Sequence, residues 1–223
     1  MPSAPPAVTA APTTLADLPV LHLDDVIVVL NKPAGLLAVP GRGEAGRDSL
    51  AARVQAVLPD ARVVHRLDMA TSGLMLMARG ASAQAGLSLA FEMRQVRKRY
   101  EAIVEGLMAA DSGEIDAPLA ADWPNRPRQK VDLAVGKPSL TRWQVLARGT
   151  DPTAWTRVAL HPVTGRSHQL RVHLLWAGHP IRGDALYAPE PSHAARLLLH
   201  ATGLAFRHPL SGDDLQFESP APF

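Results

Sequence analysis

Val63-Val64-His65-Arg66-Leu67-Asp68-Met69-Ala70-Thr71-Ser72-Gly73-Leu74-Met75 is the stretch around which the rest of the chain is organised. A short apolar run ends in a charged turn, and a second apolar run, residues 74–78, follows at once. That pattern predicts two strands joined by a tight connection that carries one Arg and one Asp. An Asp at such a place has a plain structural reading, because its side chain can hydrogen-bond its own backbone and close the turn. Whether Asp68 is turn chemistry or catalytic chemistry depends on the remainder of the chain.

Upstream, residues 26–30 (Val-Ile-Val-Val-Leu) form a β-branched run typical of a buried strand, stopped by Asn31-Lys32-Pro33-Ala34-Gly35. Residues 49–58 place Leu50, Val54, Val57 and Leu58 at helical spacing, with Asp48 or Ser49 as the cap. Downstream, residues 81–96 predict a second helix with Leu87, Leu89, Phe91 and Met93 as its apolar residues. Arg94, Arg97, Lys98 and Arg99 would close it, since cations suit a helix C-terminus. Strands are expected at 100–104 and 113–119, then a hairpin of 140–147 and 155–160 around Gly149-Thr150-Asp151-Pro152. Residues 167–176 predict a third helix stopped by Gly178, and short strands follow at 203–206 and 215–217. Many strands with a few interspersed helices predict an α+β fold around one mixed sheet. Residues 1–20, with five Pro and five Ala, are expected to be a disordered tail preceding one domain at 21–223.

Composition narrows the function classes. With 223 residues, 47% of them hydrophobic, the chain can build one large domain or two small lobes. The absence of cysteine excludes disulfides, thiolate chemistry and cysteine-based zinc sites. No apolar run approaches the roughly 18 residues of a membrane span, and the first basic side chain is Lys32. A soluble, cytoplasmic protein is therefore the expectation, with a monomer as the default state. Net charge is only +2, yet residues 122–149 hold six Lys/Arg against two Asp. A local basic excess of that kind suits a polyanion such as nucleic acid, or simply a solvated surface. Within it, Asp122-Trp123-Pro124-Asn125-Arg126-Pro127-Arg128-Gln129-Lys130 carries two prolines and three cations. It reads as an exposed, irregular basic arm.

The second dense polar cluster is Gly165-Arg166-Ser167-His168-Gln169-Leu170-Arg171-Val172-His173, at the predicted start of the third helix. A helix start favours anions, whereas cations there oppose the dipole, so the cluster suggests phosphate binding. His161, His168, His173 and His179 raise a metal-dependent hydrolase as an alternative. Against it, His168 and His173 are five apart rather than at the i, i+4 zinc spacing, and no Glu lies between them. No G-x-S-x-G elbow and no P-loop ending is present. Asp68 remains as the one well-placed carboxylate. A lone carboxylate can act as nucleophile or base, but not as the pair that glycoside hydrolysis uses.

Four segments together resemble the RluA family of pseudouridine synthases. His65-Arg66-Leu67-Asp68 followed by Thr71-Ser72-Gly73 resembles its catalytic motif, and Asn31-Lys32-Pro33-Ala34-Gly35-Leu36 its first motif. The run from Lys98 through Tyr100 to Gly106 resembles the tyrosine motif, and Gly165 to His173 the arginine-bearing one. Gly183-Asp184 with Tyr187, and Leu199-His200-Ala201, also stand where the family has them. Within the family, the likeness is greatest to members that act on large-subunit rRNA and tRNA anticodon arms. Many relatives carry an extra N-terminal RNA-binding domain, which is not expected here.

The resemblance implies an α+β fold with a central, largely antiparallel mixed sheet crossed by a cleft. It implies an isomerase that converts uridine in RNA to pseudouridine without cofactor or metal, with RNA as partner. It assigns Asp68 as the essential carboxylate, Arg171 as its partner, and Tyr100 as the residue that stacks on the target base and takes part in removing its C5 proton. Arg66 would fill the space left by a flipped nucleotide. His65, Lys98, Arg126, Arg128, Lys130, Arg166 and His168 complete the expected RNA contacts. A catalytically silent RNA-binding module of the same fold is the alternative.

Overall fold

The computed structural model describes residues 14–188 and 194–223. Among them run twelve strands and three helices: β1 (Val20–Leu23), β2 (Ile27–Lys32), α1 (Leu50–Val57), β3 (Ala61–Val63), β4 (Ser72–Arg79), α2 (Gly80–Glu92), β5 (Arg97–Glu105), β6 (Ser112–Asp116), β7 (Leu119–Ala121), β8 (Gln129–Val131), β9 (Leu140–Gly149), β10 (Trp155–Pro162), α3 (Gln169–Trp176), β11 (Leu199–Arg207) and β12 (Asp214–Glu218). Ten strands form one sheet in the order β1-β2-β4-β11-β5-β10-β9-β6, with β12 added to β11 and β3 to β4. β7 and β8 form a separate hairpin. The β4–β11 contact is parallel and the other strand pairs are antiparallel, so the sheet is mixed as expected.

The period-two geometry of a strand explains why β2 and β4 lie at the centre. Leu74, Leu76 and Ala78 of β4 face one side with Ile27 and Val29 of β2, where they meet Ala83 and Leu87 of α2. Met75 and Met77 face the other side with Val28 and Leu30, against Leu50, Ala51 and Val54 of α1. Both faces are covered, so these strands read as continuous apolar runs rather than alternating ones. A third cluster joins Ala102 and Val104 of β5, Val158 and Leu160 of β10, and Leu170 and Leu174 of α3. α1 begins where predicted, with the Ser49 hydroxyl accepting the Ala52 N–H.

β4 has an unusual edge. On the side away from β2 it pairs with β11 at Ser72 and Gly73, and with β3 at Met77, Ala78 and Arg79. Between those contacts the sheet is open, and the loop from Val63 to Ser72 fills the opening. Gly73 permits the close approach of β11: its φ is +112°, and a Cβ there would lie 2.4 Å from the Ala201 carbonyl oxygen.

Several expectations are corrected. The tail boundary at residue 20 falls inside ordered structure, since Leu15–Asp17 is a 3₁₀ turn capped by Thr14 and Leu18 is buried; residues 1–13 lie outside the described residues. α2 ends at Glu92, with Arg94 at φ 59° breaking the helix. Leu89 and Met93 of that predicted helix are exposed, because its inward stripe runs through Ala83, Leu87 and Ala90 instead. Arg97, Lys98 and Arg99 therefore belong to β5 and are not helix-terminal cations. The basic arm is not wholly irregular. Trp123–Asn125 is a 3₁₀ turn, in which Pro124 near the start removes no needed donor, and Gln129–Val131 pairs with β7.

Candidate active site

Three segments far apart in sequence supply the site: the β3–β4 loop, the first half of β5, and the loop that enters α3. They surround a cleft of ≈ 550 Å³ that contains Asp68, Tyr100 and Arg171 together with Arg66, His65, Lys98, Arg166 and His168. Arg126, Arg128 and Lys130 are not in this cleft, but on the β7–β8 hairpin.

Asp68 does stand in a turn, but the bond that closes it comes from the backbone and not from the side chain: its carbonyl accepts the Thr71 N–H at 3.1 Å. The side chain is left free to face the cleft, about a quarter exposed. Its Oδ2 is 3.4 Å from Arg171 Nη1 and its Oδ1 is 3.9 Å from His168 Nε2. Arg171 is itself held by Asp184, which accepts from Nε at 2.8 Å and from Nη2 at 2.7 Å in a bidentate pair. Asp184 also accepts the N–H groups of Leu186 and Tyr187. The cation at the helix start, uncomfortable for the dipole, is thus neutralised by a buried carboxylate.

The floor of the turn is held by a residue that sequence reasoning quoted without assigning a role. Lys32 has no exposed surface, and its Nζ donates to the carbonyls of Pro33, Leu36 and Met69 at 2.8, 2.7 and 3.0 Å. Burial lowers its pKa to about 8, an effect that the nearby Asp68 charge opposes. Lys32 therefore clamps the residue next to Asp68. Asp184 is the second such omission. The signal for Lys32 was its place in an apolar strand, where a lysine is rarely buried without a partner. For Asp184 the local sequence holds no comparable signal.

Alternation along β5 turns Lys98 and Tyr100 into the cleft, while Arg99 and Glu101 face away. Glu101 there binds Arg99 and Arg157 at 2.8 and 2.7 Å. Burial, and then the Asp68 charge, push the Tyr100 phenol well above its usual pKa, so it stays protonated. Lys98 makes no ion pair among the described residues, and burial lowers its pKa. An uncompensated ammonium in a cleft is a ready anion contact.

His65, expected as an RNA contact, lines the cleft and also has a scaffold role. Its Nε2 accepts the Leu76 N–H at 2.9 Å, in the opening between β3 and β11, and its ring stacks on Phe91 at 4.7 Å. A ring nitrogen that accepts there must be unprotonated. Burial first, with the Lys98 charge adding to it, lowers the pKa to about 3. His65 satisfies a backbone donor that the split sheet leaves without a strand partner.

Arg66 is exposed, with Nη2 3.4 Å from Ser167 Oγ, and stands at the mouth of the cleft. Arg166 is exposed and reaches the Pro138 carbonyl at 3.4 Å. α3 starts at Gln169 instead of Ser167, because His168 adopts a left-handed φ of 54°. The histidines of the metal alternative have separate surroundings. His173 bonds Thr141 and the Ala117 carbonyl, His179 the Glu105 carbonyl, and His168 the Tyr187 hydroxyl. Among the described residues, no cluster of three or more His, Cys, Asp or Glu could hold a metal ion.

A loop carboxylate gripped by a buried arginine, beside a protonated tyrosine in a cation-lined cleft, matches what the sequence motifs implied. The family described as RNA pseudouridylate synthase matches residues 26–176. The chain belongs to that family. It is similar to the dual-specificity RNA pseudouridine synthase RluA of Escherichia coli strain K12, 50% identical over 208 residues, 92% of this chain and 94% of the relative. The RluA protein of Pasteurella multocida strain Pm70 is 48% identical over 218 residues, 97% and 99% of the two chains. Among solved structures, human RNA pseudouridylate synthase domain containing 1 superposes with a TM-score of 0.78 at 28% identity, covering 95% of this chain and 86% of that one. Human RNA pseudouridylate synthase domain containing 4 gives 0.70 at 26% identity, covering 91% and 88%. As a pseudouridylate synthase the protein is an isomerase, and its α+β sheet is that of the family. Among the described residues no helix is long and apolar enough to cross a membrane.

Proposed function

We propose that this pseudouridylate synthase isomerises uridine in large-subunit rRNA and in tRNA anticodon arms, with Asp68 as nucleophile. The observation that carries the reading is the meeting of Asp68, Tyr100 and Arg171, drawn from three distant segments, in one cleft. In the reaction Asp68 bonds to C1′ as the N1–C1′ glycosidic bond breaks, the base turns while still held, C5 bonds to C1′ as the Asp68–C1′ bond breaks, and the C5 proton is lost as N1 gains one. No oxidant, water or cofactor enters this balance. Arg171, fixed by Asp184, holds one Asp68 oxygen so that the other carboxylate lone pairs face the ribose. A carboxylate held in place before substrate arrives meets less reorganisation in the transition state.

Tyr100 packs under the base. Its elevated pKa favours stacking over proton removal, since a phenol that holds its proton is a weak base. Arg66, exposed at the mouth, takes the place of the extruded nucleotide and stacks its guanidinium on neighbouring bases. Lys98 meets a phosphate of the flipped nucleotide, while Arg166, Arg126, Arg128 and Lys130 bind flanking phosphates. The relatives named dual-specificity, similar along nearly the whole chain, support two RNA classes as substrates. A monomeric, cytoplasmic enzyme goes with this reading.

The test is chemical detection of pseudouridine in transcripts of large-subunit rRNA and tRNA after incubation with wild type and Asp68→Asn. Wild type is expected to form pseudouridine, and Asp68→Asn to form none while still binding RNA. Turnover by the variant would refute the nucleophile, and a silent wild type on both RNAs would favour a non-catalytic RNA-binding module.

A further inference from the structure

His168 and Tyr187 lie beside Asp68, joined to each other by a short hydrogen bond. The backbone N–H of Gln129 donates to Tyr187 Oη at 2.8 Å. Tyr187 Oη lies 2.6 Å from His168 Nδ1. Tyr187 is buried and its pKa is raised, chiefly by that burial, so the hydroxyl keeps its proton. The hydroxyl has one proton to place, and among the described residues Nδ1 is the acceptor within its reach, so it donates to Nδ1. A neutral imidazole whose Nδ1 accepts carries its hydrogen on Nε2. That nitrogen is the one facing Asp68 Oδ1, at 3.9 Å.

We propose that His168 is a positioning residue for Asp68, held by Tyr187 in the tautomer that presents Nε2–H to the carboxylate. The two carboxylate oxygens then have different keepers: Oδ2 faces Arg171 and Oδ1 faces His168. Together they restrict rotation of the nucleophile about its Cβ–Cγ bond, which Arg171 alone would leave free. A separation of 3.9 Å is too long for a hydrogen bond. Such contacts in substrate-free sites commonly shorten when substrate binds. The left-handed backbone at His168, φ 54°, is the local cost of turning one ring toward both partners. Such strain in a non-glycine residue persists where its surroundings enforce it.

The chain of contacts also reaches beyond the cleft. Gln129 opens β8, in the hairpin that carries Arg126, Arg128 and Lys130.

The inference rests on Asp68 being the reacting carboxylate. Two substitutions divide the roles of the two ring nitrogens. His168→Asn places an amide oxygen near Nδ1, keeps the Tyr187 bond, tolerates left-handed backbone, and offers nothing to Asp68. His168→Gln places an amide N–H₂ near Nε2 and restores the donor. With whichever rRNA or tRNA transcript the wild type modifies, His168→Asn is expected to lower kcat about tenfold or more, the worth of one charge-assisted hydrogen bond. KM should stay within about twofold, because the positioning role acts on Asp68 and not on RNA affinity, whereas a role as RNA contact would appear in KM. His168→Gln should recover kcat to within about threefold of wild type. Equal losses in both variants, or a loss confined to KM, would overturn the proposal. The ¹⁵N spectrum of the His168 ring gives a readout independent of activity. Wild type should show protonated Nε2 and bare Nδ1, and Tyr187→Phe a mixture of tautomers; an Nδ1–H wild type refutes the idea. If Asp68→Asn still turns over, the reading of the site fails and this inference with it. If Asp68→Asn is inactive while His168→Asn matches wild type, only the positioning role fails.

Discussion

A lysine with no exposed surface needs partners for all three of its protons, and Lys32 finds them in three carbonyls, one of them on Met69 beside Asp68. Replacing it by Met leaves those oxygens unmet in a buried place. The expected loss is about 1–3 kcal/mol of stability, with a larger fall in kcat than in RNA affinity, since the turn that aims Asp68 is loosened. Denaturant unfolding and steady-state kinetics measure the two effects. The pH dependence has a defined sign. The folded pKa of about 8 lies below the ordinary 10.5, so between these values the unfolded chain binds more protons than the folded one. Stability from this group therefore rises with pH across that window and is lowest below pH 8. The stability difference between wild type and Lys32→Met should widen from pH 8 to 10; a flat difference would show that Lys32 does not titrate there. Asp184 poses the complementary case. Removing it as Asp184→Ala strands Arg171 in the interior, and breaking a buried pair costs about 3–5 kcal/mol. A melting temperature within a degree of wild type would contradict that burial.

At the scale of elements, the placing of Asp68 follows from one strand having two partners on one edge. β4 turns from β11 to β3 along its length, and the loop that carries Asp68 occupies the opening with His65 bonded to the Leu76 N–H. Gly73→Ala should be among the most damaging small substitutions. The new methyl would meet Ala201 backbone at φ +112°, neither of which can shift without separating β4 from β11. A loss of several kcal/mol, or insoluble protein, is expected, and an unchanged unfolding midpoint would show that the parallel contact is dispensable. The central strands and α1 were legible in sequence because local patterning and burial agree there: Leu74 to Ala78 is apolar on both faces, and Ser49 caps a helix of matching period. The end of α2 was not, because Arg97, Lys98 and Arg99 suit a helix terminus as well as they suit a strand, and only pairing with β11 decides between the two. Asp68, Tyr100 and Arg171 were readable as motif residues. Lys32 and Asp184 were quoted with the motifs, but their supporting roles were not legible, because those roles are set by atoms brought from 37 and 13 residues away. The scaffold role of His65 was not legible for the same reason: its partner is a backbone N–H exposed by sheet topology, which no side-chain pattern records.

For the whole molecule the question is how a protein with a net charge of +2 holds a polyanion. Charge is concentrated: the cleft is lined by Arg66, Arg94, Lys98, Arg166 and Arg171 against Asp68 and Glu92, and the β7–β8 hairpin extends that field outward. The hairpin's three cations are not equivalent. Arg126 stacks over the exposed Trp123 ring at 3.5 Å and Arg128 lies 5.4 Å from the Tyr187 ring, neither meeting an acid among the described residues, whereas Lys130 is paired with Asp132 at 3.2 Å. A cation already neutralised by a carboxylate gains less from a phosphate, since it must give up one partner for the other. Each released counterion contributes about 0.7–0.9 to the slope of log affinity against log salt. Arg126→Ala with Arg128→Ala should therefore weaken RNA binding and flatten that slope by about 1.5. Lys130→Ala should change it by less than half as much. Filter binding or anisotropy across a salt series measures both. Equal slopes in wild type and the double variant would make the hairpin a structural support for Tyr187 alone. A Lys130→Ala effect equal to that of the two arginines would mean that the Asp132 pair opens to let the lysine reach RNA.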